Sequence, residues 1–169
     1  MSNKPFIILG KEIPEGKRTV LDLEVAKLHT RTTVKVPVII ERSKNPGPVV
    51  LLLAGIHGDE TNGVGIIREI INQKLNIPNK GTIICIPVFN IFGYLIQTRE
   101  FPDGRDLNRM FPGSANGSLA SQFAYQFTKE IAPLMGISIR GVEIHRYRLR
   151  KKLQIESSEN ISNFLITFK

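Results

Sequence analysis

Apolar and polar residues alternate from Thr19 to Leu28 and again from Thr33 to Glu41, with many β-branched side chains, which predicts two half-buried antiparallel strands. Asn45-Pro46-Gly47-Pro48 then breaks the chain. Val49 to Ala54 is a short continuous apolar run, the pattern of a strand buried on both faces of a sheet. From Asp59 to Leu75 the period changes, with Val64, Ile67, Ile70, Ile71 and Leu75 at helical spacing. Pro78, Asn79 and Gly81 end that helix, and Thr82 to Val88 reads as the next buried strand. Strand, helix and strand form a βαβ unit, which places a ligand at the carboxyl ends of its parallel strands. Residues 90–116 show no periodicity and are rich in Gly, Pro, Asp and Arg, and loops of that length inside compact domains are generally functional. Ser118 is placed to cap a second helix whose face is Leu119, Phe123, Phe127 and Ile131. Beyond Pro133 the patterning fails. The fold class expected is α/β, a mixed and partly parallel sheet flanked by helices.

Composition narrows this little. The 169 residues, 41% hydrophobic and 22% charged, suit one soluble domain with a real core. No apolar run is long enough to cross a bilayer, and Met1 to Lys11 lacks the apolar stretch of a signal peptide, so no membrane partner and a cytoplasmic address are expected. The single cysteine, Cys85, lies in an apolar run and reads as a small core residue. Charge is more informative. Residues 137–169 hold seven Lys/Arg against three Glu, so they supply half of the net charge of +8, and the body of the chain is only mildly basic.

His57 and Glu60 stand three apart where a buried strand passes into a helix. So placed, an imidazole nitrogen and a carboxylate can turn toward one point, as two ligands of a catalytic zinc do. Gly55 and Gly58 would let the backbone turn tightly there. Alone the spacing is unspecific, and the competing reading is a helix-capping Asp59/Glu60 pair beside a surface histidine.

The string AGIHGDETNGVG, then PVFN at Pro87 to Asn90, Gln97-Thr98-Arg99, and DGRDLNRMFPG at Asp103 to Gly113 together resemble the succinylglutamate desuccinylase/aspartoacylase family, relatives of the zinc carboxypeptidases. The resemblance spans about residues 20–134. It implies a zinc-carboxypeptidase-like fold of which this chain holds the amino-terminal part, and a zinc cofactor bound by His57 and Glu60. It implies that Asn108 and Arg109 grip the substrate carboxylate, the guanidinium fork bidentately and the amide by a further bond. Arg99 resembles the arginine that polarises the scissile carbonyl beside the metal. The alternative for these loop residues is a solvated segment in which Arg105 and Arg109 pair with Asp103 and Asp106. The implied reaction is hydrolysis of the amide bond of a small-molecule N-acyl amino acid or similar carboxylate, with zinc activating water.

The pattern then breaks. The family supplies a third zinc ligand from an Asp-Leu-His-Thr-Gly motif, and here that place reads Gly136-Ile137-Ser138-Ile139-Arg140-Gly141-Val142. Its general-base glutamate lies still further on. The codons GGG ATC TCC ATA CGG GGG GTG encode Gly136 to Val142 and, read from the last base of the first codon, give Asp-Leu-His-Thr-Gly. A frameshift shortly before Met135 is therefore expected, dividing the chain into residues 1–134, the amino-terminal part of a hydrolase domain, and residues 135–169, an atypical basic tail. The rival keeps the tail and lets His145 stand in as the third ligand. A truncated hydrolase of impaired activity is expected, with uncovered apolar surface that favours self-association. The alternatives are a carboxylate-binding pseudoenzyme and a nucleic-acid-binding module using Arg140 to Lys152. The last is disfavoured, because that stretch has one aromatic, Tyr147, and no RNA or DNA signature.

Overall fold

The computed structural model describes residues 5–138. A small ribbon of β1 (Ile7–Ile8) and β2 (Lys11–Glu12) precedes a long hairpin of β3 (Lys17–Lys27) and β4 (Thr33–Arg42). Next come β5 (Val49–Leu53), helix α1 (Asn62–Asn72), β6 (Thr82–Ile86), a short helix α2 (Ile91–Ile96) and helix α3 (Leu119–Ile131). The main sheet has the order β3-β4-β6-β5. β3 pairs antiparallel with β4 and β4 antiparallel with β6, whereas β5 and β6 run parallel as the βαβ pattern requires. The sheet is thus mixed, and helices flank it on both faces.

Alternation along the strands divides the core in two. Val36, Val38 and Ile40 of β4 and Ile84 and Ile86 of β6 face the larger cluster, which α3 closes with Ala120, Phe123, Ala124, Phe127 and Ile131. Ile39 and Cys85 face the other way, onto Val64 and Ile67 of α1. Phe89, fully buried just after β6, stacks on Phe123 with ring centroids 4.7 Å apart and meets Phe127 edge-on at 4.7 Å. Such aromatic pairs add about 0.5–1.5 kcal/mol beyond the burial of their area. They anchor the end of β6, from which the site residues follow.

Three expectations need correction. β5 is the edge strand of the sheet among the described residues, and Val50 is exposed, so it is not buried on both faces. Beside it, a cavity of about 260 Å³ is lined by Leu51, Leu53, Phe111, Phe127, Ile131 and Met135. The first helix is shorter than its apolar periodicity: it begins at Asn62, and its end is set by Lys74 in the left-handed region (φ 58°), which leaves Leu75 outside and exposed. The stretch from Asn90 is not wholly irregular, because Asn90 caps α2 through its side chain, which accepts from the Gly93 N–H. Ser118 caps α3 as expected, accepting from Ser121 N–H, and Cys85 is fully buried. No described helix is long and apolar enough to cross a membrane. Residues 139–169 of the basic tail, His145 among them, lie outside the described residues.

Candidate functional site

The carboxyl ends of β5 and β6 lead into the loops that carry the polar cluster. Ala54 and Gly55 follow β5, and Gly55 turns in the left-handed region (φ 59°), which redirects the chain toward His57. Gly58 is needed for another reason: a Cβ there would stand 1.8 Å from the carbonyl carbon of Gly93, so the His57 loop lies backbone against backbone on α2. Gly58 N–H donates to Thr98 O at 2.9 Å in the same contact. The residue at the α1 N-cap is Thr61, which makes no side-chain capping bond, so Asp59 and Glu60 belong to the loop and do not cap the helix.

His57 is fully buried. Its Nε2 lies 2.9 Å from Asp106 Oδ1. Its Nδ1 comes within 2.9 Å of Glu60 Oε1, yet it has no hydrogen-bond partner of acceptable geometry. A buried imidazole nitrogen without a directional bond, beside the carboxylate of a half-exposed Glu60, is a donor pair of the kind that can hold a cation. With Asp106 accepting the Nε2 proton, the Nδ1 lone pair would be left free to bind a cation, the carboxylate–histidine arrangement common behind metal-bound histidines. The pair therefore fits a zinc ion as two of its ligands. Among the described residues no group of three or more His, Cys, Asp or Glu side chains is placed to hold a metal.

Asp106 was assigned no role beyond a loop ion pair on sequence grounds, and it is the centre of the cluster. Oδ1 takes His57 and the Asn108 N–H at 3.0 Å, while Oδ2 takes Arg99 Nε at 3.2 Å and Nη2 at 3.0 Å. Burial pushes its carboxyl toward the neutral form, but bonds from His57 and Arg99, with their charges, outweigh this and hold it below the usual carboxylate range. Arg99 also reaches Glu60 Oε1, at 3.5 Å through Nη1, so it spans from Asp106 to the open side of the His57–Glu60 pair. The one signal that could have found Asp106 was its position two residues before Asn108, where an aspartate caps the short 3₁₀ turn Leu107–Arg109.

Asn108 and Arg109 lie on that turn, beside the cluster. Arg109 is 60% exposed and sits 3.4 Å from Asp106 Oδ2 through Nε, and Arg105 lies 3.9 Å from Asp103. These are the pairings of the solvated-loop alternative, and both are long enough and exposed enough to yield to a ligand at little cost. His57, Glu60 and Arg99 come together, and Arg109 reaches Asp106, the carboxylate that His57 and Arg99 share.

Comparison with known proteins gives a consistent pattern. The model of the succinylglutamate desuccinylase/aspartoacylase catalytic domain matches residues 46–145. An N-alpha-acetyl-L-2,4-diaminobutyric acid deacetylase of Halomonas elongata is 31% identical over 105 residues, which cover 62% of this chain and 30% of the enzyme. A succinylglutamate desuccinylase/aspartoacylase from Rhodobacter sphaeroides superposes with a TM-score of 0.62 at 28% identity, covering 73% of this chain and 40% of that one. An aspartoacylase family protein from Mesorhizobium loti gives 0.63 at 28% identity, with 73% and 38% covered. The product-bound ectoine utilization protein EutE of Ruegeria pomeroyi gives 0.60 at 26% identity, with 73% and 39% covered. The chain thus spans well under half the length of each.

Proposed function

Since this chain belongs to the succinylglutamate desuccinylase/aspartoacylase family, whose catalytic domain it matches over residues 46–145, we propose that it carries half of a zinc-dependent site for hydrolysis of N-acyl amino acids. His57 Nδ1 and the Glu60 carboxylate would hold the metal. The observation that carries the reading is the buried, unbonded Nδ1 facing Glu60 while Nε2 is held by Asp106. Bound zinc supplies Lewis acidity and a water of lowered pKa. Asp106 fixes the imidazole tautomer. Arg99, with Nη1 directed toward Glu60, donates to the carbonyl oxygen as negative charge develops there. Arg109 and Asn108 take the substrate carboxylate, the guanidinium releasing its long contact with Asp106 to do so. Cleavage leaves a free carboxylate and an amine. The deacetylase named above acts, by its name, on an N-acetylated amino acid, which supports this substrate class.

The reading extends to the organisation of the chain. Residues 1–134 form the hydrolase part and residues 135–169 a basic tail of shifted frame, and the family match to residue 145 runs across that boundary. Sequencing the locus tests the division: an adjacent frame continuing a hydrolase supports it, and no such frame refutes it. With two donors among the described residues, zinc would be held weakly and turnover impaired. The second reading is a carboxylate-binding pseudoenzyme. Self-association through the apolar surface beside β5 belongs to the proposal and is tested by sedimentation.

The deciding experiment pairs metal analysis with an assay on N-acetyl and N-succinyl amino acids. Zinc binding lost on His57→Ala with measurable amine release by the unmodified protein supports the enzyme. Carboxylate binding without release supports the pseudoenzyme, and no binding by the unmodified protein in a titration with excess zinc overturns both the metal assignment and the mechanism.

A further inference from the structure

The motif Pro87-Val88-Phe89-Asn90 was singled out in the sequence, and neither metal binding nor the substrate clamp uses it. Asn90 is fully buried, and every polar group it has is engaged. Its N–H donates to Gly55 O at 2.7 Å, and its carbonyl accepts from Tyr94 N–H at 2.9 Å. Its side-chain Oδ1 accepts from Gly93 N–H at 2.9 Å, and Nδ2 donates to Glu100 O at 3.0 Å and to Arg99 O at 3.5 Å. One residue thus joins the turn that leads to His57, through its backbone N–H, with the backbone that carries Arg99, through its carboxamide.

We propose that Asn90 is a positioning residue for Arg99, fixing the backbone from which the guanidinium reaches Asp106 and Glu60. The role needs a carboxamide. Serine or aspartate at this place can cap α2 equally well but lacks the amide Nδ2 that donates to the two carbonyls beyond it while Oδ1 caps, and unpaired carbonyls at a buried site drive the segment to rearrange. Space is as restrictive as hydrogen bonding. A Cβ on Gly93 would meet Asn90 Nδ2 at 2.6 Å and Thr98 O at 2.7 Å, so α2 packs directly against both the amide and the segment 98–100. Thr98 O, which holds Gly58 N–H, gives a second tie between the segment 98–100 and the His57 loop. The proposal rests on the proposed function only for what Arg99 does with substrate, and the placement of the guanidinium stands independently of it.

The test is side-chain nitrogen NMR with hydrogen exchange on the full chain in metal-free buffer, where the Arg99 Nε–H resonance is identified by its loss in Arg99→Lys. In the unmodified protein that proton exchanges slowly, because it is donated to Asp106. Asn90→Ser, which keeps the cap, is expected to speed its exchange at least about tenfold. Asn90→Asp, which sets an oxygen against the two carbonyls, should do the same at neutral pH. Val38→Ala, a core lesion on the hairpin, serves as a control of comparable destabilisation and leaves the Arg99 rate near that of the unmodified protein. Should the Asn90 variants fail to fold, the unmodified chain still decides. The Asn90 carboxamide and the Arg99 Nε–H must then exchange through one common opening. A protected carboxamide beside a freely exchanging Arg99, or an unchanged Arg99 rate in a folded Asn90→Ser, overturns the proposal. Because no metal is present, these outcomes are independent of whether the zinc reading holds.

Discussion

His57 Nε2 and Asp106 Oδ1 meet at 2.9 Å, although the two residues lie 49 positions apart, and this contact holds the ring with its Nδ1 facing Glu60. Asp106→Asn keeps an acceptor in nearly the same shape but removes its charge. Metal affinity should fall about 10–100-fold, the usual cost of losing a carboxylate behind a ligating histidine. Titration with cobalt, followed by its visible absorption, measures this. Unchanged affinity in Asp106→Asn would take His57 out of the proposed site.

Arg109 separates substrate contact from loop structure. Its side chain is 60% exposed and its distance to Asp106 is 3.4 Å, so Arg109→Ala should change stability by no more than about 0.5 kcal/mol. Binding of an N-acetyl amino acid should weaken by about 1.5–3 kcal/mol, the scale of a charge-assisted bond. Arg109→Lys recovers only part of it, because the ammonium lacks the planar fork. Calorimetric titration beside thermal melting shows whether the two effects divide as expected.

Phe89 is where the core and the site share a residue. Phe89→Ala removes a fully buried ring that touches Phe123 and Phe127, and should cost about 3–5 kcal/mol in denaturant unfolding. Phe89→Leu, which keeps most of the volume, should cost clearly less. Equal losses in the two variants would mean that the ring contacts matter little.

Burial raises the pKa of the Cys85 thiol, with Asn76 opposing the shift. As pH rises, the unfolded chain gives up this proton before the folded one does. Stability should therefore be level below about pH 8.5 and decline above it, until the folded thiol also ionises. Cys85→Val should remove that part of the alkaline slope, and unfolding midpoints from pH 7 to about pH 10 would reveal it. An identical slope in the variant would assign the decline to other groups.

Much of the scaffold was legible because its elements are long enough to carry a period. The hairpin alternates over ten or more residues per strand, and α3 shows its apolar face over 13. Helix α2, at six residues, is under two turns and leaves no periodic trace; only Asn90 marked it, and a lone asparagine is common in loops. The edge position of β5 was hidden because its residues contact both cores: Val49, Leu51 and Leu53 pack on one cluster and Leu52 on the other. In the site, the proximity of His57 and Glu60 follows from their short spacing, although that spacing alone is unspecific and the family resemblance singled the pair out. Asp106 could not be singled out, because what distinguishes it from an ordinary loop aspartate is the arrival of His57 and Arg99 from other segments.

The close approach of Gly58 to Gly93 also constrains how such a sequence can drift. A methyl group on Gly58 would meet the carbonyl carbon and oxygen of Gly93 at 1.8 and 2.1 Å and the nitrogen of Tyr94 at 2.3 Å. The obstacle is main chain, so no exchange of a neighbouring side chain can relieve it. Natural variants should retain glycine at position 58 even where the helix beside it changes in composition, and departures should coincide with insertions or deletions that rebuild the segment between Asn90 and Arg99. Two positions in different segments are in this sense inherited as one.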